Sequence, residues 1–199
     1  MGRPTRWATD TKPGHSQWYV ERFRQMAADG EDLVGEARLV DAMVPRGARI
    51  LDAGCGPGRH GGYLHGLGHT VVGVDADPVL IGAATEDHPG PTWIVEDLSE
   101  LDLSAHDIVE PFDAVLAAGN VMVFVAAGTE TAVLQRLCAH LAPEGFIAVG
   151  FDTGRELSLA TFDAAVTAAG LRLEHRFSTW DLRPWRDDAD FAVSILRHA

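Results

Sequence analysis

The stretch ILDAGCGPGRH, Ile50–His60, places glycine at positions 54, 56 and 58, directly behind an apolar run that ends on Asp52. Glycine loses more conformational freedom on folding than any other residue. A cluster of it is costly unless the backbone needs positive φ or must lie against something with no Cβ in between. A plain tight turn needs one or two glycines rather than three. The cluster is therefore read as a loop whose backbone lies against a bound ligand.

Outward from this loop the chain alternates in rhythm. ARILDAG, TVVGVDA, TWIVEDL, FDAVLAAG and GFIAVGFD are short β-branched apolar runs. Between them RHGGYLHGL, PVLIGAATE, ETAVLQRLCAHL and LATFDAAVTAAG space their apolar residues as helices do. Strand alternating with helix, the strands apolar throughout, is the pattern of a parallel sheet covered on both faces. After Gly170 the rhythm changes. LRLEHRFSTWDL and DFAVSILRH are strand-like, with a connection too short for a crossover helix, so they are expected to pair antiparallel. Upstream, SQWYVERFRQMAA and LVGEARLVDAMV read as amphipathic helices, the second ending at Pro45.

In an open parallel sheet, ligands bind at the carboxyl ends of the strands, where the first strand turns into its helix. The loop 52–58 lies there, and its N–H groups precede a helix N-terminus suited to electron-rich groups. Asp75 closes the second strand, where a carboxylate can accept both hydroxyls of a ribose. Asp97 follows the third strand, in place to meet an exocyclic amine. The spacing is not the dinucleotide fingerprint G-x-G-x-x-G, whose third glycine falls at position 59, here Arg59.

ILDAGCGPGRH, VVGVDADP, VEDL, FDAVLAAGNVMVF and LAPEGFIAVGF, in that order and at that spacing, resemble the motifs of the class I S-adenosylmethionine-dependent methyltransferases, over roughly residues 48–199. The resemblance implies an α/β fold: a Rossmann-like seven-stranded, mostly parallel sheet with helices on both faces and a C-terminal antiparallel hairpin. It implies a single domain over 1–199, with 1–45 a helical cap over the cofactor cleft and 46–199 the core. The implied activity is methyl transfer from S-adenosylmethionine to a small-molecule acceptor at nitrogen or oxygen. Asp52 and Gly54, Cys55, Gly56 and Gly58 are implied to hold the methionine part, Asp75 the ribose, and Asp97 with Leu98 the adenine. Asn120 is implied beside the sulfonium, and Ala53, Ala76 and Ala118 complete the cofactor set.

Methyl transfer from a sulfonium is an in-line displacement on an activated cofactor, so the protein mainly positions the nucleophile and excludes water. An oxygen or ammonium acceptor must still lose a proton, and His15, Tyr19, His60 and Asp152 are the candidates to take it. Cys55 is read as a small side chain filling space, since no base stands near it in sequence.

Charge and composition narrow the partners. With 16 Lys and Arg against 29 Asp and Glu, the net charge of −13 repels polyanions, so a neutral or cationic small molecule is expected rather than nucleic acid. The first 24 residues are the exception, with Arg3, Arg6, Lys12, Arg22 and Arg24 against Asp10 and Glu21; such an arm is most often a solvated tail, the alternative being that it helps cover an acidic or anionic ligand. Two cysteines without a C-x-x-C pair, no H-E-x-x-H, and histidines 60, 65 and 69 on different faces give no expectation of a metal. AVLAAGNVMVFVAAG is too short to span a bilayer and carries Asn120, and no signal peptide is apparent, so a cytoplasmic protein is expected. The oligomeric state is left open. Two rival readings stand beside the first: a non-catalytic S-adenosylmethionine-binding sensor or scaffold, and a nicotinamide oxidoreductase. The second lacks the third glycine, and the only lysine, Lys12, is far from any short-chain-type tyrosine.

Overall fold

In the computed structural model, which describes residues 3–199, the five apolar runs become β1 (Arg49–Ala53), β2 (Thr70–Asp75), β3 (Thr92–Val95), β4 (Phe112–Ala117) and β5 (Leu141–Asp152). They run parallel, and the last two strands, β6 (Leu171–Phe177) and β7 (Phe191–His198), pair antiparallel with each other. The sheet order is β3-β2-β1-β4-β5-β7-β6, and β7 alone runs against the rest. The chain moves from β1 to β2 on one side and returns to β4 on the other. That reversal opens a crevice at the carboxyl ends of β1 and β4.

The reason the strands read as continuous apolar runs lies in β1. Ile50 and Leu51 are both fully buried, one in the cluster with Val40, Leu64 and Phe146, the other in the cluster with Met122, Leu134 and Phe162 on the opposite face. Successive side chains of a strand point to opposite faces, so a strand covered on both sides has no polar positions to alternate with. Helices α3 (Gly35–Met43) and α4 (Arg59–Gly66) contribute to the first cover. Helices α6 (Val121–Phe124), α7 (Glu130–Ala139) and α8 (Leu159–Ala168) contribute to the second. Helix α5 (Pro78–Asp87) starts on Pro78 with Asp77 as N-cap, its carboxylate accepting the Val79 N–H at 2.8 Å.

The structure departs from expectation at the N-terminus. Two helices, α1 (Arg6–Asp10) and α2 (His15–Ala28), cross the carboxyl end of the sheet, and the basic arm is no solvated tail. Arg6 donates to the Val123 carbonyl at 3.2 Å and faces Glu130 at 3.7 Å, while Trp7 Nε1 donates to Asp77 at 2.8 Å. The aromatic residues interleaved with the charges pack the segment down. The apolar run after β4 also breaks, because Gly119 and Asn120 are both left-handed, at φ +75° and +68°, and the chain turns there into α6. No helix among the described residues is long and apolar enough to cross a membrane.

Trp93 on β3 explains several glycines at once. A Cβ built at Gly58, Gly61 or Gly73 falls 2.9, 2.8 or 2.1 Å from its indole, and the indole N–H donates to the His88 carbonyl at 3.0 Å. Gly73→Ala drives a methyl into this ring and is expected to cost about 2–3 kcal/mol. Gly30→Ala meets nothing within 4 Å and bears only the strain of φ +78°, about 1 kcal/mol. Urea unfolding measures both. Combining Gly73→Ala with Trp93→Leu is expected to recover part of the loss, and additive losses would remove Trp93 as the cause.

Candidate active site

The loop from β1 to α4 carries Gly54, Gly56 and Gly58 at φ +73°, +54° and +81°, a region that residues with a Cβ enter only at a cost. The Gly54 and Cys55 N–H groups both donate to the Val74 carbonyl, at 2.8 and 3.0 Å, which holds the loop against the end of β2. Beyond φ, the three glycines answer to different neighbours. A Cβ at Gly54 collides with Val121 at 2.4 Å, and one at Gly58 collides with Ala84 at 2.8 Å as well as with Trp93. Only Gly56 stands clear, with Tyr19 3.9 Å away as its nearest neighbour.

Next to Gly56 stands Asp75. One carboxylate oxygen accepts the Gly56 N–H and the other the Asp77 N–H, both at 2.9 Å. Burial pushes its pKa up to about 6 against the pull of those two donors. At the end of β3, Asp97 accepts from the Ser99 N–H at 2.8 Å and the Ser99 hydroxyl at 2.7 Å, an Asx turn that fixes its direction.

These residues surround one cavity of about 480 Å³ at the carboxyl ends of the strands. Of the cofactor candidates, Gly54, Cys55, Gly56, Asp75, Ala76, Asp97, Leu98 and Ala118 line it. Four do not. Asp52 is buried and turned inward, accepting the Gly61 N–H at 2.9 Å, so it pins the start of α4 instead of facing the cavity. Ala53 is sealed within the sheet, and Gly58 lies under Trp93. Asn120 faces away because its Oδ1 accepts the Asp152 N–H at 2.7 Å, tying the start of α6 to the end of β5.

Among the proton-accepting candidates, His15, Tyr19 and His60 line the cavity. Asp152 does not; its carboxylate accepts the Gly154 N–H at 2.8 Å and faces Arg155 at 3.5 Å. Burial raises the Tyr19 pKa, so the phenol keeps its proton at neutral pH. Burial likewise raises the Cys55 thiol well above its ordinary range, which makes it inert and matches a space-filling role. His60 Nε2 lies 3.3 Å from Glu36, near enough for charge pairing but without hydrogen-bond alignment. Burial raises the Glu36 pKa, but His60 and Arg59 outweigh it and bring it down to about 2. No group of three possible metal ligands occurs among the described residues.

The remaining wall is built around Trp7, which no motif marks. Trp7 meets His15, Tyr19 and Phe124 edge-on, with ring centroids 4.8, 5.3 and 5.4 Å away. Together the four rings close the side of the cavity facing α1, α2 and α6. Of the four, Trp7 alone was unmarked in the sequence: His15 and Tyr19 stand among the proton-accepting candidates, and Phe124 ends the FDAVLAAGNVMVF stretch.

A family model described as a methyltransferase domain matches residues 50–145. The structure of a TehB-like S-adenosylmethionine-dependent methyltransferase from Corynebacterium glutamicum is 43% identical, with a TM-score of 0.88 over 94% of this chain and 100% of that one. An N1-methyltransferase from Burkholderia thailandensis, solved with 1,6-didemethyltoxoflavin and S-adenosylhomocysteine, shares the fold at 21% identity, with a TM-score of 0.62 over 95% of this chain and 92% of that one. An uncharacterised methyltransferase of Synechocystis is 34% identical over 75 residues, which take in 38% of this chain and only 35% of that protein. With its seven-stranded sheet, its glycine loop and this kinship, the chain belongs to the S-adenosylmethionine-dependent methyltransferases, and S-adenosylmethionine is its cofactor.

Proposed function

We propose that this protein transfers a methyl group from S-adenosylmethionine to a small-molecule acceptor, at a nitrogen or oxygen, in the cavity above β1 to β4. The observation that carries the reading is that Asp75 and Asp97, from neighbouring strand ends, open onto the same cavity as the bare backbone of Gly56. The donor set fits an adenosyl group. Asp75 uses one lone pair on each oxygen for backbone N–H groups and keeps acceptor capacity for a ribose. In this reading Gly54, Cys55 and Gly56 face the methionine part, Asp97 and Leu98 the adenine, and Ala118 the neighbourhood of the sulfur. Asp52, Gly58 and Asn120 shape the loops from behind.

The bound cofactor supplies a methyl group already activated by its sulfonium. The protein's own contribution is enclosure and aim. Within a single domain, residues 5–19 act as the cap and α3 packs on the sheet instead, and Trp7, His15, Tyr19 and Phe124 wall the acceptor end and exclude water. Since Tyr19 stays protonated and Asp152 lies outside the cavity, a proton leaving the acceptor passes to His15 or His60. One cavity of about 480 Å³ takes both cofactor and acceptor, which favours a small acceptor. The net charge of −13 disfavours nucleic acid, and both cysteines are free, in keeping with a cytoplasmic setting.

Incubation with S-adenosylmethionine or S-adenosylhomocysteine is expected to raise the melting temperature, since a ligand at 100 times its Kd adds about 2.7 kcal/mol. A shift with NAD alone would overturn the reading. Turnover on a panel of small amines and hydroxy compounds then tests transfer. A protein that binds the cofactor but methylates none of them is a sensor or scaffold.

A second expectation concerns pH. The folded pKa of Asp75 lies above its ordinary value of 3.8, so its contribution to stability is full below that value and is lost as pH rises through about 6. Ribose hydroxyls donate to the ionised form, so affinity for S-adenosylhomocysteine is expected to rise through the same window. In Asp75→Asn the affinity falls about tenfold and this pH dependence disappears. Calorimetric titration between pH 5 and pH 8 checks both, and wild-type affinity in the variant would take Asp75 out of the site.

A further inference from the structure

Asp77 accepts hydrogen bonds on both carboxylate oxygens, and the two do different jobs. Oδ1 takes the Val79 N–H and caps α5. Oδ2 has no part in that cap. It accepts from Trp7 Nε1 at 2.8 Å and from the Ser16 hydroxyl, two donors more than 60 positions away in the chain. The Asp77 N–H in turn donates to Asp75, whose other oxygen holds Gly56. One hydrogen-bonded chain therefore runs from the glycine loop, through the β2–α5 turn, to α1 and the start of α2. Gly56, Asp75, Asp77, Trp7 and Ser16 all line the cavity. Burial pushes the Asp77 pKa up, but Ser16 and Trp7 outweigh it and hold it below the usual carboxylate range, so the bonds are charge-assisted at neutral pH.

We infer that Asp77 is a positioning residue that latches the N-terminal segment, residues 5–16, across the cavity, so that one carboxylate sets the aromatic acceptor wall against the cofactor loop. The assignment of that wall to the acceptor rests on the proposed function; the latch itself does not. A carboxylate is needed because the Val79 N–H on one side and Trp7 Nε1 on the other can only donate, so both oxygens must accept. Asparagine caps a helix as well as aspartate does, yet it offers a single acceptor oxygen and turns an NH2 group toward the indole N–H. If the segment opens, the binding-competent fraction falls, and affinity for a ligand beneath it falls by the same factor.

Asp77→Asn tests this without removing the α5 cap. Hydrogen exchange of the free protein is expected to quicken about tenfold or more across residues 5–19, while amides of α5 stay within about twofold of wild type. S-adenosylhomocysteine, the probe for binding, is expected to bind several-fold more weakly. Trp7→Phe keeps the ring against its aromatic neighbours and removes only the N–H. It reproduces part of the effect, and adding it to Asp77→Asn changes little further, because both remove the same bond. Unchanged exchange over residues 5–19, faster exchange across the whole sheet, or additive effects of the two substitutions would each overturn the latch. If S-adenosylhomocysteine fails to bind even the wild type, the proposed function falls, and the exchange data still decide the latch.

Discussion

Between Ala53 and Arg59 the backbone must leave a strand buried on both faces and enter a helix. It does so through three glycines in the left-handed region. The rest of the site is fastened to that bend. Val74 holds its first two N–H groups, Asp75 holds Gly56, and Asp52 holds Gly61 just past the start of α4. A side chain at Gly54 would strike α6, and one at Gly58 would strike α5 and Trp93, so the loop also sets how closely the surrounding helices approach. The glycine density thus has two causes. Close packing of protein against protein accounts for Gly54 and Gly58, and only at Gly56 is the backbone left open.

This division shows how far the sequence was legible. The central strands were readable because they are apolar enough to be buried on both faces, and β6 and β7, β6 largely exposed, betrayed their antiparallel pairing by the shortness of their connection. The convergence of Asp75 and Asp97 was readable because both follow parallel strands at the same end of the sheet. The direction of a side chain at a strand end was not. Asp52 sits two residues before the bend and points inward, whereas Asp75, at the last position of its strand, points to the cavity. A shift of one residue reverses the face, and sequence spacing does not resolve that phase. Asn120 escaped for a related reason. Its left-handed backbone turns the amide toward β5, and nothing local announces it.

Of the readings of the N-terminal segment, the amphipathic helix stands and the solvated tail fails, for a physical rather than a positional reason. Arginine and lysine suggested a solvated arm, yet what holds it is a Trp7-centred aromatic cluster and bonds from Trp7 and Ser16 to a partly buried carboxylate. Arg6 follows this packing, with its head group on the Val123 carbonyl near Glu130. An aromatic edge contact is worth about 0.5–1.5 kcal/mol beyond the area it buries, and Trp7 makes three of them, to His15, Tyr19 and Phe124.

The three carboxylates around the cavity share a further property. Each is engaged by backbone N–H groups of the loops it stands on: Asp75 by Gly56 and Asp77, Asp77 by Val79, and Asp97 by Ser99. Their directions are fixed by folding, so a ligand meets acceptors that need no reordering, and the entropy of arranging them is not charged against binding. An ionised carboxylate has about four acceptor positions, and Asp75 spends two of them on its own backbone. The two that remain match in number the hydroxyls of the proposed ribose. The bonds that hold the loop together therefore also leave Asp75 with an acceptor capacity limited to that pair.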